Sequence, residues 1–198
     1  TTTSTLVSLL LQEYGKSTFL GGNIGVPIIS AINKMYEYYV CELSSFQLMD
    51  PSPTLDVAII TSITENHLDY HTDMNEYITA KKSILQNAKR CVLPYDSQLI
   101  RSFAGGKNVT FVSLNDISHI KSDKIYIKGG YIFKNDTQLL DVSRVLLRGK
   151  FNLLNLMLAI GAMPYIDDEA IQRVAYSFCG VPHRMELVRE IDGISFYN

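Results

Sequence analysis

Residues 56–61, Asp-Val-Ala-Ile-Ile-Thr, and the polar run at residues 64–69, Thr-Glu-Asn-His-Leu-Asp, decide the fold of this chain. The first run is short and almost wholly apolar, as is typical of a strand buried in a parallel sheet. The second run then lies just beyond the carboxyl end of that strand. Open α/β sheets bind their ligands at this edge, so we expect His67 and Asp69 to belong to a site.

The helix predicted next carries a lysine in an unusual position. Between residues 74 and 88 the apolar residues recur at about 100° per residue, which indicates a helix. Lys81 falls at the centre of the apolar face, whereas Lys82 falls at its edge. A buried, unpaired ammonium group is costly. Lys81 therefore snorkels to the surface, or reaches a pocket of anions, or has a lowered pKa and adds CO₂ to form a carbamate that ligates a metal.

Strand and helix patterns alternate over the first 114 residues and then change. The alternation predicts an α/β fold with a mostly parallel open sheet and helices on both faces. Residues 124–128 and 131–134 flank Gly129-Gly130, which indicates a hairpin in a small antiparallel β patch. We predict further strand at 138–147 and a final hairpin at Asp192-Gly193. Helices are expected at residues 6–14, 28–35, 96–103, 149–163 (buried, because it is apolar nearly all round) and 167–176.

Composition excludes several classes of protein. The 198 residues are 46% hydrophobic, enough for a proper core, and the net charge is −2. The chain has no basic block, which argues against binding nucleic acid. No run of residues is apolar enough to span a membrane. Cys41, Cys91 and Cys179 are odd in number and widely spaced, as is typical of reduced thiols in the cytosol.

Two residues at strand ends are candidate metal ligands. Glu42 ends the strand predicted at 37–42, and Mg²⁺ takes one or two protein carboxylates together with phosphate oxygens and water. The alternative is a solvated glutamate that opens a loop. His67 is either a ligand or a hydrogen-bonding structural residue. His67 and His71 are four apart, like a zinc pair on a helix, but we expect His71 to lie in a solvated loop.

Other polar residues are candidates for binding a nucleotide. Asn152 and Asn155 share one face of the apolar helix, where they contact a bound purine or cap backbone groups. For Arg184 there are two alternatives: its guanidinium binds a ribose or phosphate, or it forms a surface salt bridge. Residues 21–25, Gly-Gly-Asn-Ile-Gly, suit a phosphate at a helix start. Ser45 has no evident base partner, so the sequence does not support nucleophilic catalysis.

Together these motifs resemble the central ATP-binding domain of the Mur ligase family. Residues 42–48, Glu-Leu-Ser-Ser-Phe-Gln-Leu, resemble a motif of the family members that add D-glutamate to UDP-N-acetylmuramoyl-L-alanine. Further matches, in family order, are residues 22–25, 64–69, 80–81, 152–155 and 181–184. The resemblance implies a monomeric, cytoplasmic bacterial enzyme of peptidoglycan synthesis. In that family ATP phosphorylates the carboxylate of the precursor, and the amine of the amino acid attacks the acyl phosphate.

The resemblance also implies roles for the site residues. Glu42 would bind a first Mg²⁺ together with the hydroxyl of Thr1 or Thr2, and His67 with carbamylated Lys81 would bind a second. The residues implied to meet the UDP-precursor are Asn23, Ser44, Gln47 and His67. Those implied to bind ATP are Thr1, Thr2, Asn23, Asn152, Asn155 and Arg184.

The chain departs from the family pattern in several places. The phosphate-binding loop of the family would precede Thr1, so we expect residues 1–198 to be the central domain truncated at both ends, without the UDP-binding and C-terminal domains. Such a piece is expected to have little ligase activity alone. Asn66 stands where an aspartate is usual, and Phe151 where a histidine is usual. Two alternatives stay open: a folylpolyglutamate synthase-like ligase, and a nucleotide-binding regulatory module without catalysis.

Overall fold

The computed structural model describes residues 1–49, 53–64, 71–165, 167–182 and 187–198. The helices are α1 (Thr2–Glu13), α2 (Met74–Ser83), α3 (Gln98–Arg101), α4 (Lys150–Ala162) and α5 (Asp168–Ala175). The strands are β1 (Thr18–Gly22), β2 (Tyr38–Glu42), β3 (Leu55–Ile59), β4 (Ala88–Pro94), β5 (Val109–Ser113), β6 (Lys124–Lys128), β7 (Tyr131–Lys134), β8 (Thr137–Asp141), β9 (Leu187–Ile191) and β10 (Ile194–Tyr197).

The main sheet has six strands in the order β3-β4-β5-β6-β7-β8. Its first four strands are parallel, and β7 and β8 extend it as antiparallel hairpins. Strands β1 and β2 form a separate parallel pair, and β9 and β10 form an antiparallel hairpin. The predicted fold class, a mostly parallel sheet with an antiparallel patch, is confirmed.

Both faces of the main sheet are covered. Successive residues of a strand point to opposite faces, and in β4 Val92 joins one buried cluster while Cys91 and Leu93 join the other. The first cluster contains side chains of α1, α4 and α5. The second contains Ile100 of α3 and residues around α2. This two-sided burial explains why these strands lack polar alternation.

Helix α4 is the central element of the first cluster, and its seven residues from Leu156 to Ala162 are all buried. Gly161 allows its close approach to the sheet, because a Cβ there would lie 2.7 Å from Cγ1 of Val92. The predicted buried helix is therefore confirmed.

Arg90 of β4 caps the carboxyl end of α4. Its guanidinium donates to the carbonyls of Gly161, Ala162 (2.9 Å) and Met163 (3.1 Å). The last carbonyls of a helix lack partners within the helix, so Arg90 satisfies three of them at once. Burial lowers the pKa of this guanidinium, but it stays charged at neutral pH.

Replacing Arg90 with methionine is expected to lower the free energy of unfolding by about 2–4 kcal/mol, because three carbonyls lose a charged donor. Urea denaturation of the chain measures the change. Lys89→Met is the matched control, since Lys89 is exposed and pairs with exposed Asp56 at 2.7 Å; it should leave the free energy of unfolding nearly unchanged. Equal losses in the two variants would show that Arg90 does not cap α4.

Two predicted elements are wrong. The helix expected at 28–35 is only a 3₁₀ turn at Ile28–Ala31, and Met35 is 99% exposed. The apolar side chains there lack a core face, and the spacing alone suggested a helix. The strand expected at 138–147 ends at Asp141, because its carboxylate accepts from Ser143 N at 2.9 Å and begins the 3₁₀ turn Val142–Arg144.

Smaller differences concern helix ends. Helix α1 starts at Thr2 rather than residue 6, and α2 ends at Ser83 rather than residue 88. The helix expected at 96–103 is divided into α3 and the 3₁₀ turn Ser102–Ala104. In the part of the chain that the structure describes, the helices fall short of the length and apolarity needed to cross a membrane.

Candidate functional site

Glu42 lies where three elements meet. It is the last residue of β2 and pairs with Gly22 of β1. The amino nitrogen of Thr1, at the start of α1, lies 2.7 Å from Glu42 Oε2, and both side chains are largely buried. The positive end of a helix favours a carboxylate. The side chain of the predicted strand-end glutamate is therefore largely buried at the start of α1, rather than solvated in a loop.

The turn after β1 fixes the backbone of Glu42. Gly22 has φ +102°, and a Cβ there would lie 2.2 Å from the carbonyl oxygen of Glu42, so glycine is required. The N–H of Gly22 donates to Val26 O and that of Asn23 to Glu42 O, each at 2.8 Å. These two N–H groups are thus engaged within the protein, and no α-helix follows them. The prediction that residues 21–25 bind a phosphate is therefore wrong for the N–H groups of Gly22 and Asn23, which already have acceptors within the protein.

Asn23, Ser44 and Gln47 border this region. The side chain of Asn23 is exposed. Ser44 donates from its N–H and its Oγ to Gln47 Oε1, at 2.8 and 3.1 Å, and Gln47 N donates to Ser44 Oγ at 3.3 Å. These bonds close a compact turn, which we name the Ser44–Gln47 turn, directly after Glu42.

Lys81 is half-buried on α2, with Nζ 5.7 Å from the centroid of the Tyr77 ring. Burial lowers the pKa of its amine, and the negative charge of Glu42 offsets part of that change. The neighbouring Lys82 is exposed, and its Nζ lies 5.3 Å from the Phe103 ring. A lowered pKa increases the neutral fraction of the Lys81 amine, which is the form that reacts with CO₂.

Asn152 and Asn155 connect α4 to the start of α1. Asn152 Nδ2 donates to Arg148 O at 2.9 Å, which fits the backbone-capping alternative. Asn155 Nδ2 donates to Asn152 Oδ1 at 3.3 Å, and Thr3 Oγ1 donates to Asn155 Oδ1 at 2.9 Å. Both asparagines are half-buried. Asn155 therefore lies near the beginning of α1, which Thr1 precedes as the N-cap, and Thr1 contacts Glu42.

Residues at the two helix starts differ in accessibility. Thr2 is buried, with 6% of its surface exposed, and the side chain of Thr1 is 17% exposed. Phe151, in the first turn of α4, is 87% exposed.

The surroundings of His71 differ from the prediction. It is buried, with 2% of its surface exposed, rather than solvated. Its Nε2 lies 2.9 Å from Ser45 Oγ, so Ser45 does have a base partner. Ser45 is also 2% exposed, however, and a substrate does not reach its hydroxyl in this arrangement. One sequence signal was available: Asp73 and Glu76 mark the N-terminus of α2, which places His71 next to a packed helix start.

Two of the predicted site residues lie in segments that the structure does not describe. His67 and Arg184, expected to bind a metal and a nucleotide, lie outside the described residues. Within the described ranges, His, Cys, Asp and Glu side chains do not form a group of three or more that would hold a metal ion.

A surface depression of about 400 Å³ lies away from Glu42, at the amino end of β5, and is lined by Lys107, Phe111 and Asp123 among others.

Residues 1–163 match the family described as the Mur ligase middle domain. A UDP-N-acetylmuramoylalanine–D-glutamate ligase of Ruminiclostridium cellulolyticum is 41% identical over 210 positions, covering 100% of this chain and 44% of the relative. The structure of a UDP-N-acetylmuramoyl-L-alanyl-D-glutamate–2,6-diaminopimelate ligase superposes with a TM-score of 0.74 at 19% identity, covering 97% of this chain and 47% of the other. E. coli FolC in complex with DHPP and ADP superposes with a TM-score of 0.64 at 14% identity, covering 96% and 56%.

The chain belongs to the Mur ligase middle domain family. It spans about half the length of the curated relatives it matches, 44% for the one described. The two structural likenesses, both below 25% identity, show the fold alone.

Proposed function

We propose that the protein containing this chain is an ATP-dependent ligase that adds D-glutamate to UDP-N-acetylmuramoyl-L-alanine, in the bacterial cytoplasm, during peptidoglycan synthesis. The observation that carries this proposal is the 41% identity, over the whole chain, to a ligase named for that reaction. The position of Glu42 beside Thr1 and the electrostatic influence of Glu42 on Lys81 support it, since phosphoryl transfer relies on positioning and electrostatic stabilisation.

The residues fit a magnesium ion. Glu42 presents a largely buried carboxylate beside Thr1 at the start of α1, and Mg²⁺ takes one or two protein carboxylates together with phosphate oxygens and water. Glu42 and Thr1 would hold a first Mg²⁺, and His67 with carbamylated Lys81 a second. When bound, ATP would supply the phosphoryl group that activates the carboxylate of the precursor and would leave as ADP, and Mg²⁺ would neutralise charge on the phosphates.

The carbamate follows from ordinary amine chemistry. The neutral Nζ of Lys81 attacks the carbon of CO₂, and a proton leaves to water, which gives an anion. Burial favours this step because it lowers the pKa of the amine. The product replaces a cation by an oxygen ligand on the same side chain, which accounts for a lysine in the middle of an apolar face.

The remaining side chains would bind the two substrates. Asn23 and the Ser44–Gln47 turn, together with His67, are proposed to contact the UDP-precursor. Asn152, Asn155 and Arg184 are proposed to contact ATP. Asn152 and Asn155 now bond each other, Arg148 O and Thr3, so we expect a nucleotide to exchange some of these bonds for its own.

The acceptor decides between the proposal and its alternatives. Release of ADP by the full-length protein should require both UDP-N-acetylmuramoyl-L-alanine and D-glutamate, as followed in a coupled assay. A matched reaction offers a reduced folate and L-glutamate in their place. Turnover with the folate alone would establish the folylpolyglutamate synthase-like alternative. Nucleotide binding without acceptor-dependent ADP release would establish the regulatory module.

A further inference from the structure

Helix α2 holds the segment that follows Glu42 at two points. Three residues before the helix begins, His71 bonds Ser45, with Nε2 and Oγ 2.9 Å apart. At its last residue, Ser83 Oγ donates to Leu48 O at 3.0 Å. Ser45 belongs to the Ser44–Gln47 turn, and Leu48 directly follows it. Its position therefore depends on the position of α2.

The ring of His71 is fixed on several sides. It stacks on Phe46 with centroids 5.4 Å apart and planes at 17°, and it packs against Tyr77 at 5.4 Å and 58°. Its Nδ1 lies 3.8 Å from Glu76 Oε2. The same carboxylate oxygen accepts from Thr72 N and Oγ1, at 2.6 and 2.8 Å. Rings and carboxylate together set the direction in which Nε2 points.

The contacts of His71 continue to Lys81. Tyr77 lies between them, since its ring packs on His71 and lies 5.7 Å from Lys81 Nζ. On the other side, Ser45 is three residues beyond Glu42. A continuous path of contacts therefore runs from the segment after Glu42, through His71 and Tyr77, to Lys81.

We propose that His71 is a positioning residue: it holds the Ser44–Gln47 turn and Glu42 at a fixed place relative to Lys81. This inference rests on the proposed function, in which both sides contribute to one site. A nucleophilic Ser45–His71 pair is not favoured, because both residues are 2% exposed and aromatic rings pack against the imidazole. A buried hydrogen bond is directional, so it fixes orientation in a way that apolar packing does not.

Ser45→Ala and His71→Phe in the full-length protein test the proposal. The first removes the hydroxyl, and the second keeps a ring against Phe46 and Tyr77 but removes Nε2. We expect kcat to fall roughly 10- to 100-fold in each, the scale of a small misplacement in an active site. The Kd of UDP-N-acetylmuramoyl-L-alanine, measured calorimetrically without nucleotide, should rise by about tenfold. The double variant should be no worse than the poorer single one, because both changes break the same bond.

A matched control separates positioning from stability. Ser97→Ala removes a hydrogen bond of a different kind, the helix cap of α3, in which Ile100 N donates to Ser97 Oγ at 3.3 Å. This change should lower the melting temperature without changing kcat or Kd. If Ser45→Ala behaves in the same way, the positioning role is refuted. If His71→Phe does not fold, Ser45→Ala alone decides. A wild-type protein without ligase activity would refute the proposed function instead.

Discussion

Replacing Lys81 with alanine in the full-length protein is expected to lower kcat by on the order of 10³-fold, the scale seen when a preorganised charge-stabilising group is removed. The reason is the placement of its amine: half-buried, within the field of Glu42, and with a lowered pKa. An added short carboxylate, such as formate, should restore part of the activity by supplying the missing oxygen ligand. Steady-state kinetics with and without formate measure both effects.

Lys82→Ala is the matched control for this experiment. Lys82 is the next residue, carries the same charge and is exposed over the Phe103 ring, so its loss should change kcat by less than about twofold. The wild-type activity should also rise with pH at fixed CO₂, because the neutral amine grows as pH rises toward the pKa of Lys81. A Lys81→Ala variant with intact function would contradict the ligase proposal and favour the regulatory alternative.

Replacing Glu42 with glutamine should have the second largest effect. The change keeps the shape of the side chain but removes the charge that the proposed Mg²⁺ needs. We expect kcat to fall on the order of 10²- to 10³-fold at fixed Mg²⁺, and the Mg²⁺ concentration for half-maximal activity to rise. Titration of activity with Mg²⁺ measures both, and the heat of binding of Mg²⁺ and ADP gives a readout apart from turnover.

Glu37→Gln provides the control at the other end of the same strand. Glu37 lies one residue before β2 and pairs with Lys16 at 3.1 Å on the surface. Exposed ion pairs of this kind contribute little to stability, so the Mg²⁺ titration should not change. An unaltered titration in Glu42→Gln as well would show that Glu42 is not a metal ligand.

The parts of the fold that the sequence predicted correctly have strong local signals. Helix α4 is apolar nearly all round, and a helix of that kind has to be buried. Gly129-Gly130 between two β-rich runs marks the β6–β7 hairpin without help from distant residues. The helix expected at 28–35 failed because its apolar spacing, taken alone, does not say whether a core exists for it to face.

The candidate site was predictable in part for the same reason. Strand-end placement made Glu42 a candidate, and its position in an apolar stripe made Lys81 a candidate; both roles stay predictions. The partners of those residues come from distant segments, such as Thr1 beside Glu42 and Thr3 beside Asn155. His71 was misplaced because a short polar run resembles a loop, whereas its burial comes from Phe46 and Tyr77. Periodicity carries no information about contacts of that kind.

The two ends of α4 are anchored to different parts of the protein. In its first half, Asn155 accepts a hydrogen bond from Thr3 of α1. At its carboxyl end, the carbonyls accept from Arg90 of the main sheet. With Gly161 seated against Val92, the helix has little room to slide or tilt. We therefore expect α4 to keep its position relative to α1 and the main sheet, so that a change at one end of the helix is felt at the other.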